Sequence, residues 1–250
     1  MDTKPGWSSP GEWLALRARI KAAGFARIYD LQGSGRTAKI FQLLRPNPPE
    51  WNGTAWGCAL PDRRPEPKKR HPIQRHRQQL EQAGITDFPE QDWSWFDEPV
   101  DFPLPERYVL LAPGCAPHRP EKRWPALHFA ELARWLVARQ LTPIILGTAA
   151  EGEALATIAA GCPEALDLRD RTSLPQIARL ARGAQAAVGN DTGPMHLIAA
   201  VGCPSLVLFS HASDPELSSP HGRKVRTLRH IPLADLPPKD VEQALSDLLG

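Results

Sequence analysis

The 250-residue chain has no apolar run near the ~18–20 residues that would cross a bilayer, and its first residues, "MDTKPGWSSPGEW", lack the apolar core of a secretion signal. A soluble protein is the expectation. Its four cysteines, Cys58, Cys115, Cys162 and Cys203, lie far apart with no C-x-x-C pair. That excludes a zinc knuckle and a small disulfide scaffold, and fits a reducing, cytosolic setting. Charge of one sign is also lacking: the net is +2, too little to point to nucleic acid. No glycine- or serine-rich tract interrupts the chain, and 42% of its residues are hydrophobic, enough for one large core or two modest ones.

Proline is plentiful. The 27 prolines cluster at 46–49, 61–72, 99–105 and 113–125, which marks loops and linkers. Before the first cluster, "EWLALRARIKAAG" reads as a helix, "FARIYDL" as a buried strand, and "QGSGRTAKIFQLLRP" as a glycine turn and helix. The pattern weakens from Pro46 to Pro105, with a strand expected near "GTAWGCAL" and a short helix from Gln74 to Ala83. A domain boundary near residue 100 follows, giving regions 1–100 and 101–250.

From Arg107 the alternation is regular. "YVLLAPG", "TPIILG", "ALDLRD", "AAVGN" and "SLVLFS" read as strands, separated by "PALHFAELARWLVARQ", "AEGEALATIAAG", "SLPQIARLARGA" and "GPMHLIAAVG" as helices. "PPKDVEQALSDLL" closes the chain as an amphipathic helix. This α/β order predicts a doubly wound parallel sheet with helices on both faces, whose ligands bind outside the carboxyl ends of the strands. The loops after Leu111, Leu146, Leu168, Val188 and Phe209 form that face.

Two of these loops carry chemistry. In "GNDTGPMH", Pro194 suits the first turn of a helix, and the Asp191-Thr192-Gly193 turn leaves backbone donors beside it. Asp191 or Thr192 is either an ordinary helix cap or part of an anion site, with His196 adding positive charge when protonated. No second histidine sits at metal-ligand spacing from His196. In "GCAPHRPEKRWP", His118, Arg119, Lys122 and Arg123 either form a solvated basic loop or stabilise charge on a departing phosphate. Trp124-Pro125 packs and starts the next helix.

Two further patterns are weaker. "GSGRTA", Gly33 to Ala38, fits G-x-G-x-x-A, but no acid ends a strand ~20 residues later, so a tight turn is favoured over a dinucleotide site. The run from Arg63 to Arg77 holds seven Lys/Arg, either a solvated loop or a contact for an anionic acceptor or membrane surface.

"GNDTGPMHLIAAVGCPSLVLF" closely resembles the signature of the lipopolysaccharide heptosyltransferases, glycosyltransferase family 9. "KRWP" before "HFAELARWL", "YDLQGSGRTA" and "SDPELSSPHG" support the resemblance, which runs from about Leu14 to Leu249. It implies a GT-B-like α/β fold of two Rossmann-like doubly wound domains, with the N-terminal one taking the acceptor and the C-terminal one the sugar nucleotide. It also implies inverting transfer of heptose from an ADP-sugar to the lipopolysaccharide inner core. ADP-heptose or a related nucleotide sugar would be a substrate, with no cofactor and no required metal. Carried over residue by residue, Asn190, Asp191, Thr192, Gly193 and His196 would hold the diphosphate and sugar. Lys122 would neutralise the ADP leaving group. The implied location is the cytoplasm, with peripheral contact at the inner membrane, no transmembrane segment and no nucleic-acid partner.

Two departures shape the expectation. "APHRPE" stands where the family carries small hydroxyl residues before its lysine, so donor affinity or identity would differ. Nothing before Trp13 resembles the family's opening strand, glycine loop and catalytic aspartate, so about two βα units are absent and the N-terminal domain is incomplete. No general base is identified, because Asp30 ends a strand but is followed by the wrong loop. The chain alone is then expected to bind donor, transfer poorly and expose a sheet edge able to pair with another chain. The alternative is a non-catalytic nucleotide-sugar binding or partner protein; a GT-B-like epimerase would need more acidic and histidine groups near the sugar.

Overall fold

The structure, a computed structural model, describes residues 9–63, 70–116 and 118–250. It divides into two compact units, Met1–Glu90 and Gln91–Gly250. The division falls before residue 100, where the boundary was expected. The cause is a polar clamp: residues 93–99 are held by the helix Leu174–Gly183 of the second unit, through Arg182 to the Trp93 and Phe96 carbonyls, Arg179 to Asp97 and Gln176 to the Pro99 carbonyl.

In the first unit, helix α1 (Pro10–Ala22) is followed by strand β1 (Arg27–Tyr29), helix α2 (Gly35–Leu43), strands β2 (Glu50–Gly53) and β3 (Leu60–Pro61), and helix α3 (Pro72–Gln82). The three strands are parallel in the order β1-β2-β3. Phe41, Leu44, Trp51 and Ala55 form the core, with Phe41 and Trp51 rings 5.5 Å apart. Strands lie near "GTAWGCAL", as expected: β2 ends on its first residue, Gly53, and β3 begins on its last, Leu60. An amide chain ties α3 to this sheet, because Gln79 Nε2 donates to the Asp30 carbonyl and to Asn52 Oδ1, and Asn52 Nδ2 to the Leu60 carbonyl. "GSGRTA" is a helix start: Gly33 takes φ +56°, and Ser34 and Thr37 close a capping box on α2.

The second unit is built on six parallel strands, β4 (Tyr108–Ala112), β5 (Thr142–Ile145), β6 (Leu166–Asp167), β7 (Ala186–Asn190), β8 (Ser205–Phe209) and β9 (Val225–Arg229). Helices α4 (Ala126–Val137), α5 (Gly152–Gly161), α6 (Leu174–Gly183), α7 (Gly193–Ala200), α8 (Pro215–Ser218) and α9 (Pro238–Leu249) connect and close them. The order β6-β5-β4-β7-β8-β9 is that of a doubly wound sheet begun at its centre. Each central strand feeds two cores. Val109 and Leu111 of β4 join Leu132, Leu155 and Leu245 on the face of α4, α5 and α9. Leu110 and Ala112 join Leu180 and Ile198 on the face of α6 and α7. This double burial explains the unbroken apolar runs in the sequence. The sixth strand, β9, was not anticipated, because "VRTLR" alternates arginines along a partly exposed edge.

Winding reverses between β4 and β7, which pair with Val109 opposite Ala186 and Ala112 opposite Gly189. In doubly wound sheets the loops leaving two such strands diverge, which makes this the place for a ligand crevice. Among the described residues, no helix is long and apolar enough to cross a membrane.

Candidate functional site

The end of β7 is shaped for close approach. A Cβ at Gly189 would lie 2.7 Å from the Ala112 carbonyl oxygen and 2.8 Å from Met195 Sδ, so only glycine lets β4 and α7 meet there. Asn190 follows, fully buried, and both ends of its amide are used. Its Oδ1 accepts from the Trp124 N–H at 3.0 Å, and its Nδ2 donates to the Pro113 carbonyl at 2.6 Å. The loop between β4 and α4 is thus pinned at both ends. Trp124 anchors it further, its indole N–H donating to the Leu236 carbonyl and its ring lying 4.8 Å from that of Phe129.

Within that loop, a short 3-10 turn, Pro120–Lys122, delivers a lysine across the crevice. Lys122 Nζ lies 2.6 Å from Asp191 Oδ2, with only 18% and 8% of the two side chains exposed. Ser213, in the loop after β8, donates its Oγ to the same Oδ2 at 2.6 Å. His196 Nε2 stands 4.0 Å from Asp191 Oδ1, its side chain 49% exposed.

Thr192 occupies the N-cap position of α7, but its side chain makes no capping bond. Asp191 is turned away to Lys122 and Ser213, so the ordinary cap that either residue could have supplied is not formed. A Cβ at Gly193 would meet nothing within 4 Å, so the helix start faces open space. An uncapped helix N-terminus concentrates N–H donors and positive dipole, and an ammonium bonded once to Asp191 keeps two further donors. This is an arrangement for an anion.

The expected residues separate in space. Lys122, Asp191 and His196 come together with the backbone of Thr192 and Gly193. Asn190 serves them from behind: its amide holds the Pro113–Trp124 loop that carries Lys122. Of the other basic groups, Arg119 pairs with Glu121 at 3.6 Å, Arg123 donates to the Cys115 carbonyl, and His118 is exposed. Asp30 is buried in the first unit, its Oδ1 accepting from the Gly33 N–H. The Arg63–Arg77 run lies partly outside the described residues.

The four cysteines are free thiols. Burial pushes the Cys115 thiol beside the site upward, and the Lys122 charge offsets this in part. Among the described residues, no group of three His, Cys, Asp or Glu side chains is placed to hold a metal ion. Ser213 was missed by the sequence reading. The loop after Phe209 was expected on the ligand face, and Ser213 opens the "SDPELSSPHG" stretch that supports the resemblance, but nothing in the sequence marks its hydroxyl as a partner of Asp191.

A doubly wound sheet in this strand order, with a charged pair and an open helix start at its switch point, defines a Rossmann-like class of fold. Comparison with known proteins narrows it. The sequence pattern of glycosyltransferase family 9 (heptosyltransferase) matches residues 13–246, and the chain belongs to that family. Lipopolysaccharide heptosyltransferase 2 of Salmonella typhimurium is 31% identical over 174 residues, which are 60% of this chain and 49% of that protein. Lipopolysaccharide heptosyltransferase 1 of Pseudomonas aeruginosa is 30% identical over 233 residues, 85% of this chain and 62% of that protein. Against the first of these the chain spans about half the relative's length.

Among solved structures, Escherichia coli heptosyltransferase WaaC with ADP superposes with a TM-score of 0.77 at 23% identity, over 97% of this chain and 80% of that one. A family 9 glycosyltransferase from Veillonella parvula gives 0.81 at 19% identity, over 99% and 80%. The fold is therefore of the GT-B heptosyltransferase type, with a first sheet of three strands among the described residues.

Proposed function

We propose that the second unit binds the diphosphate of an ADP-linked sugar at the Lys122–Asp191 crevice, and that the chain transfers heptose from it, with inversion, to the inner core of lipopolysaccharide. The observation that carries this reading is the 2.6 Å pair between Lys122 and Asp191 across the switch point, beside the uncapped start of α7. The Lys122 ammonium would meet the negative charge that grows on ADP as the glycosidic bond breaks. The Gly193 N–H and the α7 dipole would hold the phosphates, and Asp191 Oδ1, on the side of His196, would face the sugar. Family membership and the ADP in the WaaC structure support the choice of donor. The acceptor would meet the first unit, and the work would be done in the cytoplasm with peripheral contact at the inner membrane.

An inverting transfer also needs a base for the acceptor hydroxyl. Asp30, which follows β1, is buried with 5% exposure, and this favours a second reading: nucleotide-sugar binding without transfer. One experiment separates the two. ADP is titrated into the 250-residue protein by calorimetry, and ADP-heptose turnover is followed with a truncated inner-core acceptor. Lys122→Ala should weaken ADP binding about tenfold or more, the effect of a charged hydrogen bond. Binding with turnover supports transfer, and binding without turnover supports the second reading. A folded protein that does not bind ADP overturns both.

A further inference from the structure

We propose that Ser213 shares the charge of Asp191 with Lys122, so that the lysine can move onto an incoming anion without leaving a buried carboxylate unpaired. Asp191 Oδ2 accepts two bonds of equal length, 2.6 Å, from two loops. Lys122 comes from the loop after β4, and Ser213 from the loop after β8; these strands flank β7, which Asp191 directly follows. Three neighbouring strands thus each supply one member of the cluster.

The segment that carries Ser213 is fixed on both sides. Ser210 is buried and its Oγ accepts from the Ala212 N–H at 3.1 Å, while Asp214 caps α8 by accepting from the Glu216 N–H at 3.0 Å. The hydroxyl is therefore held in place without help from Lys122. The Asp191 side chain is 8% exposed, so water is a poor substitute for either donor. If Lys122 were its sole partner, withdrawing the ammonium toward a phosphate would strand a carboxylate in low dielectric, which is costly. With Ser213 in place, one charge-assisted bond remains throughout. Ser213 is then a positioning residue that acts through Asp191 and lowers the cost of moving Lys122. The anion's identity as a nucleoside diphosphate rests on the function proposed above; the sharing of charge does not.

The test has two readouts on the full chain and its Ser213→Ala and Ser213→Thr variants. The first is the rate at which Lys122 is acetylated by an N-hydroxysuccinimide ester, followed by peptide mass spectrometry. The second is the affinity for ADP by calorimetry. In Ser213→Ala, Lys122 is the donor left on Asp191 Oδ2, so acetylation of Lys122 should slow about threefold and ADP affinity fall about tenfold. Ser213→Thr, which keeps the hydroxyl, should restore both. A merely structural role would loosen the loops and speed acetylation. Acetylation that is unchanged or faster in Ser213→Ala overturns the proposal. If the unsubstituted protein does not bind ADP, the nucleotide reading fails, and the acetylation rates alone still decide the role of Ser213.

Discussion

Cys203 shows what deep burial does to one ionisable group. It lies in the turn from α7 into β8, within the core that contains Ile198 and Val207, and burial pushes its thiol up to about 12. A thiol raised in the folded protein stays protonated there while the unfolded chain ionises from about pH 8.5. Stability from this group is full below that pH and is lost as pH rises toward 12, at about 1.4 kcal/mol per pH unit. The urea midpoint under reducing conditions should therefore fall from about pH 9 upward, and Cys203→Ala should flatten the decline whatever it does to stability at neutral pH. Parallel curves for the two proteins would remove Cys203 as the cause; Tyr108, Cys115 and Cys162, also raised by burial, would leave a residual slope. At this scale the sequence revealed groups whose chemistry shows without coordinates. Lys122 and Asp191 were legible because charge and turn position point to the strand ends. Asn190 and Ser213 were not, since a buried amide and a lone hydroxyl take their meaning from partners 66 to 77 and 22 residues away.

Helix α6 links sequence to organisation in a different way. Ser173 and Gln176 form a capping box at its start, a pattern readable in "SLPQ", and its inner face buries Ile177, Ala178, Leu180 and Ala181. Its outer face is polar and clamps the segment 93–99. Ser173 Oγ donates to Glu98 at 2.7 Å, Arg179 pairs with Asp97 at 2.9 Å, and Arg182 reaches the Trp93 and Phe96 carbonyls. Within that segment the Trp93 and Trp95 rings stack, and Phe96 meets both edge-on. Arg182→Ala removes the donor that serves two backbone carbonyls. Amide exchange in residues 93–97 should rise about tenfold, with the global unfolding free energy changed by less than about 1 kcal/mol, because exposed contacts open locally. A global loss of stability without local exchange would show the segment to be part of the core. The helices and inner strands were readable because period and double burial mark them. β9 was not readable, because "VRTLR" holds few apolar residues and is a strand only because β8 pairs with it.

The molecule as a whole conceals a charge asymmetry beneath its net of +2. Residues 1–90 hold fifteen Lys/Arg against nine Asp/Glu, a balance of +6, whereas residues 91–250 hold fifteen against nineteen, a balance of −4. The total looked neutral because the two units cancel, and the division at Glu90 makes the difference visible. A basic unit attracts anionic surfaces, since each Lys or Arg near an anionic bilayer contributes about 1 kcal/mol. Such attraction fades beyond the Debye length, about 10 Å at 0.1 M salt and shorter above it. The protein should therefore bind phosphatidylglycerol vesicles in low salt, lose at least about tenfold in affinity when salt is raised to roughly 0.3 M, and ignore phosphatidylcholine vesicles. Reversing Lys68, Lys69 and Arg70 to Glu changes the balance of the first unit from +6 to zero. That variant should lose vesicle binding while ADP binding at the Lys122–Asp191 crevice stays intact. Binding that persists in the variant or in high salt would place the attraction elsewhere, in apolar insertion or in the second unit. If the variant lost both vesicles and ADP, the basic unit and the donor site would not act independently.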